Sequence, residues 1–481
     1  MQPLKIGRAE FRDKVFACWL GKNIGGTLGA PHEGLRHTHA LEFYQPVPDG
    51  SAPNDDLDLQ LIWLKMVEDV GIDPPLPSFA EYWARHAASY PWNEYGFFMR
   101  NYTRGLRPPV AGCFENYFVD EMGSPIRSEI WACLHPGDPQ AAARIAWKDS
   151  ALDHAGGEGM CGEMFWAAVE AAAFVEPDPE TLIRVGLHMI PLSSHVGRSI
   201  REALWCRQNG LSWGPARERI AARFGHLQPC NAVPNHGFTI IGWLYGRDFG
   251  DRLCQAVNCG YDTDCTGATL GALLGILGGT ANIPAKWHDP VGSDIVTHKF
   301  TRNFTPPATL DELTDRTVAL AEKAAAGSDE RQFADKTVLP EDLLTRLFRN
   351  DLAQAARTHD IHMGVALCGG SEVAFHYGGE PVLRPGVGRE VRVTVDGAEP
   401  TKVELDVPAG WTCERLGPAR FRLFSAGPVA DRNTVAVRLG NGGSVDFTML
   451  GPGEAKGFPA GDNVEKCPRC HARVEACICQ R

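Results

Sequence analysis

Through the first 300 residues the apolar positions recur at helical spacing, and no segment alternates convincingly like a strand. Phe11–Leu20 opens an amphipathic helix that the glycines Gly25, Gly26 and Gly29 are expected to break. Leu57, Leu61, Leu64, Val67 and Val70 fall on one stripe, which predicts a helix over 57–70. Pro139–Trp147 and Met160–Val175 are rich in alanine, the strongest helix former. Asp178 followed by Pro179 opens a helix running to Leu187. Phe249–Val257 and Thr266–Leu277 continue the pattern, and Leu310–Ala325 and Glu341–Ala356 add two bridging helices.

The period then changes. Val391, Val393 and Val395, Val403, Leu405 and Val407, Phe421 and Leu423, Val435, Val437 and Leu439, and Val445 and Phe447 alternate with polar residues between Gly, Pro and Asn turns. That spacing predicts a small antiparallel β-sandwich of about 85 residues. Trp411, in the segment Pro408–Trp411, resembles a loop of bacterial immunoglobulin-like modules. The chain thus reads as mainly α, with an all-α domain over 1–305, a helical bridge over 306–362, an accessory sandwich over 363–452, and a linker with a cysteine-rich tail over 453–481.

Composition narrows the classes. Hydrophobic residues are 44% and charged residues 22% of 481, enough for a packed core. The net charge of −12 argues against a protein held to nucleic acid by phosphate contacts. The uncharged stretch Cys265–Ala285 contains five glycines and Pro284, so it reads as a buried helix and not a membrane span. Met1–Glu10 lacks a signal-peptide core. Fifteen cysteines, an odd count with eleven scattered and four crowded into the last 15 residues, point to a reducing, cytoplasmic setting.

Two carboxylate clusters stand at predicted helix starts: Asn54-Asp55-Asp56-Leu57-Asp58, and Gly260-Tyr261-Asp262-Thr263-Asp264. Read plainly, Asn54 is an N-cap and the acids offset the helix dipole. Read chemically, paired acids that cannot be buried unpaired would be satisfied by hard divalent cations, which orient a substrate and activate a water. Gly267, Gly271, Gly275 and Gly279 recur every four residues after the second cluster, so another helix can approach one face closely.

At these motifs the chain resembles the ADP-ribosylglycohydrolase family, and most closely its larger bacterial members. Gly21–Glu33 reads GKNIGGTLGAPHE, similar to the family's opening segment. Asn54-Asp55-Asp56 resembles its first metal motif, Gly123-Ser124-Pro125-Ile126-Arg127 its middle loop, His154 its following histidine, and Gly260–Cys265 its last motif. The resemblance implies an orthogonal all-α bundle with two Mg²⁺ ions, or Mn²⁺, in a cleft. Asp55, Asp56, Asp262 and Asp264 would be ligands, joined by Asn54, Cys265 and Thr266. Glu33 and Asp56 would be the catalytic carboxylates. Gly123, Ser124, Arg127, His154 and Asn235 would contact the substrate. Three departures stand out: Gly26 replaces a family Asp, Asn54 replaces a hydroxyl residue, and Cys265, a soft ligand, replaces another, with Thr266 as a neighbouring substitute.

The implied reaction is hydrolysis at the anomeric carbon of an ADP-ribosyl or simpler N-ribosyl compound, free or on a protein. The other reading is a non-catalytic ADP-ribose-binding or structural member, since fold outlives chemistry. The aromatic-rich segment from Tyr82 to Phe118 is either a core helix pair or a cleft wall. In the tail, Cys467, Cys470, Cys477 and Cys479 have the makings of a Zn²⁺ knuckle or of a reactive thiol tag. An oligomer is compatible with the sandwich.

Overall fold

The computed structural model describes residues 2–453, so the four tail cysteines lie outside the described residues. The helical body is organised around two long helices, Arg8–Gly29 and Thr263–Gly278. The expected break at Gly25 does not occur. The first helix runs unbroken to Gly29, because these glycines face another backbone instead of ending the chain's direction. A Cβ built on Gly21 would lie 2.1 Å from the Gly271 carbonyl oxygen, and one on Gly25 would lie 1.9 Å from that of Gly267. Gly29 meets Thr263 and Gly275 meets Ala17 in the same way. The pairing is antiparallel, so the end of the first helix sits beside the start of the second. Packing at this distance offsets the weak helix propensity of glycine.

The Leu57 stripe lies on the Asp55–Val70 helix, and the alanine-rich segments form Pro139–Ser150 and Glu158–Ala173. Asp178 caps its helix by accepting from Thr181 N–H at 2.8 Å. The uncharged stretch is buried helix only as far as Ile276; the helix ends at Gly278 and Thr280–Asn282 is an exposed turn, and among the described residues no helix is long and apolar enough to cross a membrane.

Two further expectations need correction. Glu341–Ala356 is not one helix: Leu343–Leu347 and Asp351–Arg357 are separated by a turn at Phe348–Asn350. The N-terminal region also contains a strand, β1 (Leu4–Gly7), which pairs in parallel with β2 (Arg331–Ala334). Leu310–Ala326 lies against the first helix through Arg12, which pairs with Asp311 and Asp315 at 2.9 and 2.8 Å. The bridging segment is thereby built into the helical body.

The C-terminal region is a β-sandwich with two antiparallel sheets. One contains β3 (Met363–Cys368), β4 (Ser371–His376), β5 (Arg389–Val395), β8 (Arg420–Ser425) and β7 (Trp411–Arg415), in that order. The other orders β10 (Ser444–Leu450), β9 (Arg432–Leu439) and β6 (Val403–Asp406). Inward residues include Val373, Val391, Val393, Phe421, Val435 and Phe447, and Phe375 stacks on Phe447 at 5.3 Å. The alternation revealed five of these strands. It missed β3, β4 and β7, whose polar and apolar residues alternate less cleanly.

Candidate metal centre

Each acidic cluster sits at a helix start, but the two are built differently. Asn54 caps the Asp55–Val70 helix, its Oδ1 accepting from Asp56 N–H at 2.8 Å. That leaves the carboxylates of Asp55 and Asp56 free of capping duty. Asp262 holds the cap position of the Thr263–Gly278 helix with no side-chain cap bond, so its carboxylate is also free. Tyr261 adopts φ of 74°, in the left-handed region that non-glycine residues seldom enter. Its backbone is pinned there by Leu35 and Gly34, at 2.8 and 2.9 Å. This pair of bonds ties the Glu33 loop to the second cluster.

The antiparallel helix pair sets Glu33, which follows the first helix, beside Asp262, and the Asp55–Val70 helix brings Asp56 to Asp264 and Cys265. One donor each from Asp56, Asp264 and Cys265 lies within 4.8 Å of the others, and so does one each from Glu33, Cys230 and Asp262. Both oxygens of Asp56, both of Asp262 and Oδ1 of Asp264 are buried without a hydrogen-bond partner. Buried carboxylate oxygens in that state require a cation or a proton. The donor set therefore fits divalent metal ions.

The electrostatics agree. Burial holds the carboxyls of Asp56 and Asp264 well above the usual range, and neighbouring acids add to the effect. Glu33 stands exposed at the rim, yet the protein packed around it, then Asp262 and Asp55, push its carboxyl up to about 7. Asp55 is partly relieved by Trp92, whose Nε1–H donates to Oδ2 at 2.7 Å. Asp58 is not in the cluster. Its Oδ2 accepts from His298 N–H at 2.5 Å and from Tyr90 O–H at 3.2 Å, anchoring the 293–309 segment beside the site.

The family model for ADP-ribosylglycohydrolase matches residues 7–328. The chain belongs to the ADP-ribosylglycohydrolase family. An uncharacterized protein of Archaeoglobus fulgidus is 23% identical over 291 residues, spanning 57% of this chain and 90% of its own. A solved structure, an ADP-ribosylglycohydrolase-related protein complex, is 19% identical and aligns over 66% of this chain and 99% of its own with a TM-score of 0.43.

Within this member of the ADP-ribosylglycohydrolase family, several residues picked out by their motifs do not face the cluster. Arg127 was expected to touch the substrate. Instead it is fully buried, paired with Asp149 and Asp153 at 2.8 Å each, with its guanidinium over Trp83 at 5.4 Å. His154 is buried too, its Nδ1 2.7 Å from Asp153 Oδ1. The Ser124 hydroxyl donates to Glu163, and the Gly123 carbonyl accepts from Tyr95 O–H at 2.9 Å. These four residues form a buried polar layer in which the Arg127 Nη atoms, His154 Nδ1 and Ser124 Oγ have partners inside the protein, while Arg127 Nε and His154 Nε2 have none. Asn235 is also internal: its Oδ1 accepts from Asp262 N–H at 3.2 Å, and its Nδ2 donates to Pro229 and Asn231. It holds the Asp262 turn in place. Thr266 donates its hydroxyl back to the Thr263 carbonyl at 3.2 Å.

The departures at Gly26 and Asn54 are one feature. A Cβ on Gly26 would lie 2.1 Å from Asn54 Nδ2, so the cap's amide fills the space that a side chain at 26 would need. Motif reading missed Lys22, Glu129, Cys230 and Trp92. Only Lys22 left a trace, as a lone charge in a Gly-rich apolar run; Trp92 was one of many aromatics, and most of those, such as Trp83 and Tyr95, are core.

Proposed function

We propose that this protein is a divalent-metal-dependent hydrolase cleaving the anomeric bond of an N-ribosyl compound, ADP-ribosyl or simpler. The observation that carries this reading is the set of five carboxylate oxygens of Asp56, Asp262 and Asp264, buried without a hydrogen bond and gathered at two helix starts. Asp55, Asp56, Asp262 and Asp264 would hold the cations. Bound there, a divalent ion supplies Lewis-acid charge and acidifies water.

The chain's own residues divide the remaining work. Glu33, at the rim with its carboxyl near neutrality, suits proton transfer to and from solvent. Asp56 suits it less, being fully buried with Lys22 Nζ 3.7 Å from its Oδ1, so we assign it to holding metal. Trp92 is exposed beside Asp55 and offers a planar face to a base or other aglycone. Arg127 is spent internally, so the middle loop offers no free cation for a diphosphate, which favours simpler N-ribosyl substrates. The 363–452 sandwich is an accessory unit in this reading.

The test is ribose release from a panel of ADP-ribosyl and N-riboside compounds with Mg²⁺ or Mn²⁺. Cleavage of a panel member, lost in Asp55→Asn and Asp262→Asn, is the expected result. Unchanged release in both variants ends the catalytic reading. No cleavage by the native protein favours a non-catalytic binder of the same fold.

A further inference from the structure

We propose that Asp56, Asp264 and Cys265 form a mixed oxygen–sulfur cation site that takes a borderline-soft divalent ion, of the Zn²⁺ or Co²⁺ kind, in preference to Mg²⁺. The inference rests on the metal-dependent reading above and specifies the ion at one of its positions.

Three observations carry it. The two carboxylate oxygens and the Cys265 Sγ lie within 4.8 Å of one another. A tetrahedral ion needs such donors roughly 3.5 Å apart, so small side-chain rotations complete the shell. Second, both oxygens of Asp56 and Oδ1 of Asp264 are buried without a hydrogen-bond partner, and the side chains are 0% and 8% exposed. Lys22 offsets part of the Asp56 charge, but at 3.7 Å it does not hydrogen-bond it. Third, Cys265 cannot easily turn away. It lies in the first turn of the Thr263–Gly278 helix, two residues before Gly267, which is locked against the first helix, and its Sγ lies within 4.8 Å of carboxylate oxygens of Asp56 and Asp264.

Mg²⁺ demands oxygen donors, whereas thiolate with carboxylate suits Zn²⁺ and Co²⁺. On binding, the metal–sulfur bond forms as the thiol releases its proton to solvent, with no change of oxidation state. Cys230 is the built-in comparison. It is 3.9 Å from Glu33 Oε1, in a group whose glutamate is exposed and assigned to proton transfer.

The experiment titrates Co²⁺ into the full chain with Cys467, Cys470, Cys477 and Cys479 changed to serine, so that tail thiols cannot respond. The expected result is a near-ultraviolet sulfur-to-cobalt charge-transfer band. Cys265→Ser abolishes the band and weakens Co²⁺ and Zn²⁺ binding by roughly 10–100-fold, while Mg²⁺ binding holds or tightens. Cys230→Ser leaves the band in place. A band that survives Cys265→Ser, or calorimetric Co²⁺ binding with no band, overturns the inference and leaves the metal-dependent reading standing. Failure of Co²⁺, Mg²⁺ and Mn²⁺ to bind at all removes that reading itself. Should Cys265→Ser not fold, X-ray absorption of the Zn²⁺-loaded parent decides: a sulfur neighbour at about 2.3 Å supports the site, and an oxygen-only shell overturns it.

Discussion

Lys22 places its ammonium 3.7 Å from Asp56 Oδ1 and 2.7 Å from Glu129 Oε1, and none of the three side chains is exposed. Burial works against the lysine's charge, but Glu129 and Asp56 outweigh it and hold its pKa above the ordinary value. Gln60 Nε2 donates to the other oxygen of Glu129 at 2.8 Å, completing a polar floor under the acidic cluster. Lys22→Met leaves two carboxylates buried without their cation, and destabilisation by about 3–5 kcal/mol is expected. Denaturant unfolding checks this, with a smaller loss expected when divalent cations are present. A change under about 1 kcal/mol would contradict the floor's role.

Backbone contact between the two central helices makes a sharp prediction. A Cβ on Gly271 would lie 2.0 Å from the Gly21 carbonyl oxygen, and neither backbone can retreat. Gly271→Ala should cost about 1–3 kcal/mol or more and lower metal affinity, since it shifts the Asp262–Asp264 helix away from the helix that carries Lys22 and leads to Glu33. Gly214, in the Trp213–Phe224 helix with open space around it, is the contrast: Gly214→Ala should be neutral or stabilise by up to about 1 kcal/mol. Equal melting temperatures for the two variants would refute the close-packing account.

Gly26 and Asn54 should behave as a coupled pair. Gly26→Ala drives a methyl group into Asn54 Nδ2, whereas Asn54→Ser shortens the cap and frees that space. A double-mutant cycle is expected to show about 0.5–3 kcal/mol of coupling, with Asn54→Ser partly rescuing Gly26→Ala. Additive effects would mean that the two departures are independent.

The buried acids predict how metal and pH interact. Burial raises the carboxyls of Asp56 and Asp264 and lifts Asp58 to about 7. A folded pKa above the unfolded one gives stability that is full below the unfolded value and lost as pH rises through the folded value. Metal-free protein should therefore weaken as pH rises, Asp58 contributing between about pH 4 and pH 7, and a divalent ion can replace the protons lost at Asp56 and Asp264. Burial depresses His135 to about 3 and His236 to about 4, which lowers stability below about pH 6.5. Those histidines lie outside the cluster and cancel in a comparison with and without metal. The rise in melting temperature on adding Mn²⁺ should grow from pH 5 to pH 8; a shift that is flat or shrinks with pH would count against cation binding by these carboxyls.

Much of the site was legible in local sequence because helix starts are local. Asn54 before Asp55 and Asp56, and Asp262 before Asp264, announce capped or acidic helix N-termini, and the four-residue glycine spacing announces a close-packed face. The sandwich strands with strict alternation were equally readable, since one face must be apolar. By itself, then, the sequence determined most of the helices, the five strictly alternating strands, the acidic clusters and the departures at Gly26, Asn54 and Cys265. Tertiary structure alone decided which polar groups reach the cluster. Arg127 and His154 carry the right chemistry for a substrate, but Asp149 and Asp153 lie within reach inside the fold and take them. Lys22, Glu129 and Cys230 are distant from the acids along the chain and adjacent in space. It was also tertiary packing that carried the first helix through Gly25 and Gly26: propensity is a local free energy of about 1 kcal/mol per glycine, and backbone contact along the whole helix outweighs it.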